Sequence, residues 1–84
     1  IGLCAGSGSE SLDPAIDQGC TLCVTGELKH HHVLHARSRG GAVVLAGHTN
    51  TERGWLKVLR RRLREELKVE ILISRMDRDP LRTA

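Results

Sequence analysis

The sequence predicts an α/β fold, a layered β-α-β-α-β-α-β arrangement with a largely parallel or mixed four-stranded sheet. Four short apolar runs, rich in valine and isoleucine and mostly ended by glycine, are typical of strands. Three stretches with helical spacing lie between these runs, and such alternation favours helices layered on a mainly parallel sheet. We expect residues 1–84 to form a single domain.

The four predicted strands cover residues 1–5, 21–25, 42–46 and 69–74. Gly6, Gly26 and Gly47 follow the first three runs and supply flexible positions for the turns. The fourth run reads Val-Glu-Ile-Leu-Ile-Ser and alternates in the same way as a strand. Beyond Arg75 the chain is polar, and Pro80 disfavours a helix there, so we expect an irregular tail.

The most regular predicted helix covers residues 51–67, where apolar residues recur at three- and four-residue spacing and would form one buried stripe. The residues of this stripe are Trp55, Leu56, Leu59, Leu63 and Leu67. A second helix is expected over residues 27–38, before the Gly40-Gly41 stop. A weaker helix is expected over residues 11–18, with Pro14 near its start.

Composition limits the classes of protein to which this chain can belong. Trp55 is the only Phe, Tyr or Trp residue, so the core depends on small aliphatic side chains and we expect marginal stability in isolation. The chain begins at Ile1 without Met, which indicates a fragment or a processed product. Three cysteines, no secretion signal and no membrane-spanning run predict a cytoplasmic protein with reduced thiols, the nucleus being the alternative location. A net charge of +3 is too small to predict nucleic-acid binding.

Polar, glycine-marked segments follow all four predicted strands. They comprise residues 6–9 (Gly-Ser-Gly-Ser), Gly26-Glu27, residues 47–49 (Gly-His-Thr), and Ser74 with Asp77. Ligands of open α/β sheets bind outside the carboxyl ends of the strands, so these segments should converge on one crevice. The pattern predicts a site without specifying its chemistry.

His48 and Glu52 are the leading metal-ligand candidates. They are four residues apart at a strand-to-helix junction, so an imidazole and a carboxylate can face the same point. Zn, Fe and Mn all accept this donor pair. The alternative is a capping box formed by Thr49 and Glu52, in which Glu52 only satisfies the start of the helix.

A histidine cluster made up of His30, His31, His32 and His35 is the next candidate. His31 and His35 share one helical face, and Glu27 lies one turn before His31, so metal binding, proton transfer and anion binding are all chemically reasonable. A solvated polar helix face is the favoured alternative.

Three further motifs have simpler explanations. The Gly-Ser-Gly-Ser segment can cradle an anion with its amides, but a tight turn explains it equally well. Cys20 and Cys23 are interpreted as structural thiols that point to opposite faces of a strand. The arginines of residues 60–64 are interpreted as a solvated helix face, because no aromatic stacking residues accompany them.

Two segments give the chain a specific resemblance: residues 24–31 (Val-Thr-Gly-Glu-Leu-Lys-His-His) and residues 47–54 (Gly-His-Thr-Asn-Thr-Glu-Arg-Gly). Residues 4–8 and 74–81 support it, and in order these segments span almost the whole chain. The sequence resembles the C-terminal part of the Nif-three-like family, also described as GTP cyclohydrolase type two-like.

The resemblance implies that His48 and Glu52 are the C-terminal ligand pair of a dinuclear metal centre. It also implies that Glu27, His30 and His31 line the same cavity. The family's other ligands, a His-His pair and an Asp, belong to an N-terminal region that this sequence lacks. Family members are generally toroidal homo-oligomers, and eukaryotic members are linked to transcriptional regulators.

Two functional hypotheses follow. In the first, divalent metal held by His48 and Glu52 supports hydrolysis of a nucleotide-like substrate in the assembled full-length protein. Glu27 and His31 are then the catalytic residues, which move protons or orient water. In the second, the chain is a protein-interaction module with a structural metal or none. With only two ligands, the chain is not expected to be an enzyme in isolation.

Overall fold

The computed structural model describes residues 1–82 and contains a three-stranded parallel sheet in the order β1-β2-β3. In chain order the elements are β1 (Gly2–Ser7), α1 (Leu12–Asp17), β2 (Leu22–Glu27), α2 (His30–Ser38), β3 (Ala42–Leu45) and α3 (His48–Glu66). The alternation of strands and helices and the parallel sheet are confirmed. No helix in this part of the chain combines the length and apolarity needed to cross a membrane.

The register of the sheet brings the carboxyl ends of the strands to one edge. Ser7 of β1 is opposite Glu27 of β2, after a register shift that follows Cys4. Thr25 of β2 is opposite Leu45 of β3. As a result, the polar turns after β1 and β2 and the start of α3 share one edge of the sheet.

The core lies between the sheet and the short helices α1 and α2. Its buried members are Leu12, Cys23 and Ala36, with partly buried neighbours that include Ile16 and Val43. The molecule measures 50 × 34 × 15 Å, with a radius of gyration of 16.1 Å. A compact chain of this length would have a radius of about 12 Å. The chain therefore forms a thin slab with a small core, consistent with Trp55 being its only Phe, Tyr or Trp residue.

An exposed ion-pair network joins α1 to α2. Asp13 Oδ1 lies 2.8 Å from His35 Nε2 and 3.3 Å from Arg39 Nη1, while Arg39 Nη2 lies 2.7 Å from Asp17 Oδ1. This network gives His35 a structural partner on α1. Exposed pairs of this kind contribute little to stability, because solvent and salt screen their charges.

The predicted fourth strand, residues 69–74, does not form. A strand needs a hydrogen-bonding neighbour, and this segment instead returns along α3, where Ile71 and Ile73 border a groove with the α3 leucines. Arg53 Nη2 pairs with Asp77 Oδ1 at 3.1 Å further along the return. The irregular tail is confirmed for residues 75–82, and residues 83–84 lie outside the described part.

The leucine stripe of α3 is only half covered. Leu56, Leu59 and Leu63 are partly buried, while Trp55 and Leu67 are exposed, and no α3 residue is fully buried. The prediction of a buried stripe is therefore wrong for this chain, because the sheet contacts the start of the helix and only the thin return segment borders its leucines. The helix itself starts three residues earlier than predicted and ends one residue earlier.

The cysteines also differ from the prediction. Cys20 lies before β2 and not within it. A Cβ on Gly2 would lie 3.7 Å from the Sγ atom of Cys20 and 3.6 Å from the Sγ atom of Cys23. The two thiols therefore approach the same glycine and do not point to opposite faces. All three cysteines are free.

Candidate metal site

The start of α3 sets the positions of His48 and Glu52. Gly47 has a φ of 88°, a conformation that favours glycine, and it turns the chain from β3 directly into the helix. His48 is then the first helical residue and Glu52 lies one turn later on the same face. Thr49 lies inside the helix and no side chain caps its start, so the predicted capping box is not formed.

His48 lies between two carboxylates. Its Nε2 atom is 3.3 Å from Glu52 Oε1, and its Nδ1 atom is 2.9 Å from Glu27 Oε1 at the end of β2. All three side chains are about half exposed. The structure thus brings together His48, Glu52 and Glu27, the three predicted site residues that lie at the strand ends.

The surroundings of His48 favour its protonated form. The hydrogen bond that His48 donates to Glu27 raises the pKa of His48 above the usual value for histidine, and the charge of Glu52 adds to this effect, while desolvation opposes it. The same two carboxylates that attract a proton also attract a cation.

Two glycines allow α3 to approach the sheet closely. A Cβ on Gly26 would lie 2.5 Å from the carbonyl oxygen of Gly6, 2.8 Å from His48 Cα and 2.8 Å from Thr51 Oγ1. A Cβ on Gly6, whose φ is 66°, would lie 2.7 Å from Glu52 Oε1. Only residues without a side chain leave room for His48 and Glu52 at these points.

Hydrogen bonds fix this close approach. The amide of Gly6 donates to Thr51 Oγ1 at 2.9 Å, and Thr51 Oγ1 donates to the His48 carbonyl at 2.8 Å. The buried Thr25 hydroxyl donates to the carbonyl of Gly6 at 3.2 Å. The turn after β1 is therefore tied both to β2 and to the first turn of α3.

The donor set fits one part of a metal centre. Glu27 engages Nδ1 of His48 and leaves Nε2 as the ring nitrogen next to Glu52, as in metal sites where a carboxylate orients the ligating histidine. Among residues 1–82, no group of three or more His, Cys, Asp or Glu side chains is arranged to hold an ion by itself. The chain thus offers two donors, His48 Nε2 and a Glu52 oxygen, with Glu27 behind them.

His31 stands apart from this group. It is exposed on the first turn of α2, where its ring centroid lies 4.2 Å from that of His32. Within the described residues, its side chain has no hydrogen bond or ion pair to Glu27 or His48, and its catalytic role stays a prediction. Nδ1 of His32 is buried without a partner in the same part of the chain.

A second groove borders the site and was only partly anticipated. Ser7, Ser9, Glu27, Leu28 and Lys29 line it at the carboxyl ends of β1 and β2. The sequence analysis considered the backbone amides of residues 6–9 as an anion-binding candidate but missed the lysine. The register of β1 against β2 puts Ser7 opposite Glu27, so Lys29, two residues after Glu27, lies beside the serines.

The return segment closes the other side of the α3 start. The hydroxyl of Thr49 donates to a carboxylate oxygen of Asp79, and this bond lowers the pKa of Asp79 with help from the backbone amide of Leu81. Ser74 and Asp77, which the sequence predicted to converge with the other turns, instead border the groove along α3, and Asp79 is the residue that contacts Thr49.

Comparison with known proteins extends these observations. Residues 1–80 match the family model described as Duf34/NIF3 (NGG1p interacting factor 3). The chain is 48% identical over 83 residues to NIF3-like protein 1 of Bos taurus, covering 96% of this chain and 21% of that protein. It is 38% identical over 84 residues to NGG1-interacting factor 3 of Saccharomyces cerevisiae, covering 100% of this chain and 29% of that protein.

A solved structure is similar as well. The crystal structure of a Bacillus cereus protein related to NIF3 superposes with a TM-score of 0.69 at 25% identity, over 98% of this chain and 24% of that one. The chain therefore spans about a fifth to a third of the length of these relatives.

Proposed function

Because this chain belongs to the Duf34/NIF3 family, we propose that it supplies part of a divalent-metal centre, with His48 and Glu52 as ligands. The remaining ligands would come from the rest of a longer protein. The observation that supports this proposal is the position of His48, with Nδ1 held by Glu27 at 2.9 Å and Nε2 beside Glu52 at 3.3 Å. Zn, Fe and Mn are all compatible with this donor set.

Glu27 has two roles in this proposal, and the first is to position His48. By accepting a hydrogen bond from Nδ1, it selects the tautomer of His48 that presents Nε2 to a metal. Loss of such an orienting carboxylate typically weakens metal binding about 10- to 100-fold. Glu27→Gln should therefore weaken metal binding while His48 and Glu52 remain in place.

The proposed reaction is hydrolysis of a nucleotide-like substrate by the assembled full-length protein. A divalent metal held by His48 and Glu52 would lower the pKa of a coordinated water toward neutrality. Glu27 and His31, both exposed near the carboxyl edge of the sheet, are the proposed groups that accept and deliver protons. His31→Ala should then lower turnover by about 10²-fold or more without changing the metal content.

Elemental analysis of the full-length protein tests the metal proposal. We expect His48→Ala and Glu52→Gln to lose metal while retaining the circular dichroism of the wild type. Glu65→Gln is the matched control, because Glu65 lies on the same helix, far from the site. Unchanged metal in folded His48→Ala and Glu52→Gln would overturn the assignment.

A protein-interaction role is the second candidate. The yeast relative is named NGG1-interacting factor 3, and this chain exposes large apolar side chains such as Leu3 (79%) and Leu72 (77%). A homo-oligomer would cover the same surface. Pull-down of a protein partner with and without chelator separates this role from the first, since a partner that binds equally well without metal supports the interaction role.

A further inference from the structure

The groove beside the candidate metal pair has the chemistry of an anion site. It has a volume of about 290 Å³ and is lined by two serine hydroxyls, the Lys29 side chain, Leu28 and the Glu27 carboxylate. Ser7 Oγ and Ser9 Oγ lie 3.4 Å apart, within hydrogen-bonding distance of each other, so one small ligand can contact both hydroxyls. A groove of this size takes one phosphoryl group and the atoms next to it, but not a large cofactor.

Lys29 supplies a positive charge without a partner of its own. It is exposed at the residue before α2, and none of the ion pairs within residues 1–82 includes it. The one carboxylate that borders the groove, Glu27, is already engaged by His48. The groove thus combines an available ammonium group with two hydroxyls, which are donors that suit a multiply charged oxyanion.

The loop that carries the serines is held in place before any ligand binds. A Cβ on Gly8 would lie 2.5 Å from Thr25 Oγ1, so the loop lies directly against β2. The amide of Gly8 also donates to the carbonyl of Glu27 at 3.3 Å. A fixed loop lowers the entropic cost of binding, because the two hydroxyls need little ordering when the ligand arrives.

We propose that Ser7, Ser9 and Lys29 form a subsite for the phosphate group of a phosphate monoester whose reacting end lies at His48 and Glu52. This inference rests on the proposed function, because the metal pair defines which end of the substrate reacts. Glu27 joins the two sites, since it borders the groove and also contacts His48.

Calorimetric titration of the full-length protein with inorganic phosphate tests the subsite. Lys29→Gln should weaken phosphate binding by about tenfold, the usual loss for one hydrogen bond to a charged group. Lys29→Arg should recover much of this loss, and Ser9→Ala should cause a smaller one. Lys68→Gln is the charge-matched control, because Lys68 follows α3 at the far end of the helix from the site.

A second titration with phenyl phosphate and with phenol separates a phosphate ester from free phosphate as the ligand. Binding of phenyl phosphate, but not of phenol, that weakens in Lys29→Gln supports the ester subsite. If inorganic phosphate binds and phenyl phosphate does not, the ester subsite is overturned and the groove is a site for free phosphate.

Titration after chelation distinguishes failure of this inference from failure of the metal proposal. If phosphate binding disappears when the metal is removed, and is equal in Lys29→Gln and the wild type, the subsite is overturned. That result does not contradict the metal ligands. Phosphate binding that survives chelation and weakens in Lys29→Gln supports the subsite, even if His48→Ala retains its metal. Absence of phosphate binding to the wild type at about 10 mM, a dissociation constant weaker than most specific sites reach, also overturns it.

Discussion

Substituting Gly26 by alanine would place a methyl group at the point where α3 meets β2. The new Cβ would lie 2.5 Å from the carbonyl oxygen of Gly6 and 2.8 Å from His48 Cα. Both atoms belong to the backbone, so no side-chain rotation can relieve the overlap. Ordinary van der Waals contact begins at 3.4 Å.

The start of α3 would therefore have to move by about 0.6 Å relative to β2, and the carbonyl oxygen of Gly6 by about 0.9 Å. Overpacking of this kind typically costs about 1–3 kcal/mol of stability. The same shift moves His48 away from Glu27, and ligand geometry tolerates displacements of only about 0.5 Å. We expect Gly26→Ala to lose metal affinity by about tenfold or more, in addition to its loss of stability.

Urea unfolding and metal titration of the full-length protein measure the two effects separately. Gly54→Ala is the matched control, because a Cβ there has no other atom within 4 Å, apart from its own helix backbone and chain neighbours. Alanine at this interior helix position should stabilise the protein by about 0.5–1 kcal/mol. Wild-type stability and wild-type metal affinity in Gly26→Ala would refute the close packing of α3 on β2.

Two further predictions concern buried and exposed hydrogen bonds. Thr25→Val should cost about 1–3 kcal/mol in urea unfolding, because the Thr25 hydroxyl is only 3% exposed and donates to the carbonyl of Gly6; an unchanged unfolding midpoint would contradict this. The hydrogen bond with His35, with a further contribution from Arg39, lowers the pKa of Asp13 in the folded protein. The stabilising effect of Asp13 is therefore fully present above its unfolded pKa of about 3.9. This effect is lost as the pH falls through the lower pKa of the folded state. Asp13→Asn should therefore lose less stability than the wild type when unfolding is compared at pH 5 and pH 2, and equal losses would contradict the contribution of this network.

Local sequence patterns were sufficient for the elements with local causes. The parallel strands follow from short apolar runs that end at glycine, and the helices from the stretches with helical spacing between them. The four-residue spacing of His48 and Glu52 indicated that the two side chains face the same point, but the predicted helix began at residue 51 and did not include His48. The contact between Glu27 and His48 depends on the order and register of the strands, so the sequence indicated a shared crevice but not a hydrogen bond.

The errors have different causes. Residues 69–74 carry a strand-like pattern, but α3 provides a leucine surface for them and no strand among residues 1–82 pairs with them. A distant segment therefore decided between two locally acceptable conformations there. The alternative capping box of Thr49 and Glu52 does not form for a local reason, because Gly47 starts the helix before Thr49, whose hydroxyl instead donates to Asp79.

The 15 Å thickness of the slab limits how the site can be transplanted into another scaffold. Grafting α3 alone would keep the spacing of His48 and Glu52 but would leave behind Glu27, which orients the imidazole. Grafting the whole slab would carry Leu3 and Val44, exposed by 79% and 48%, into the new host as uncovered apolar surface. A designer would therefore have to build a complementary layer on the host before the metal pair could be introduced with its geometry intact.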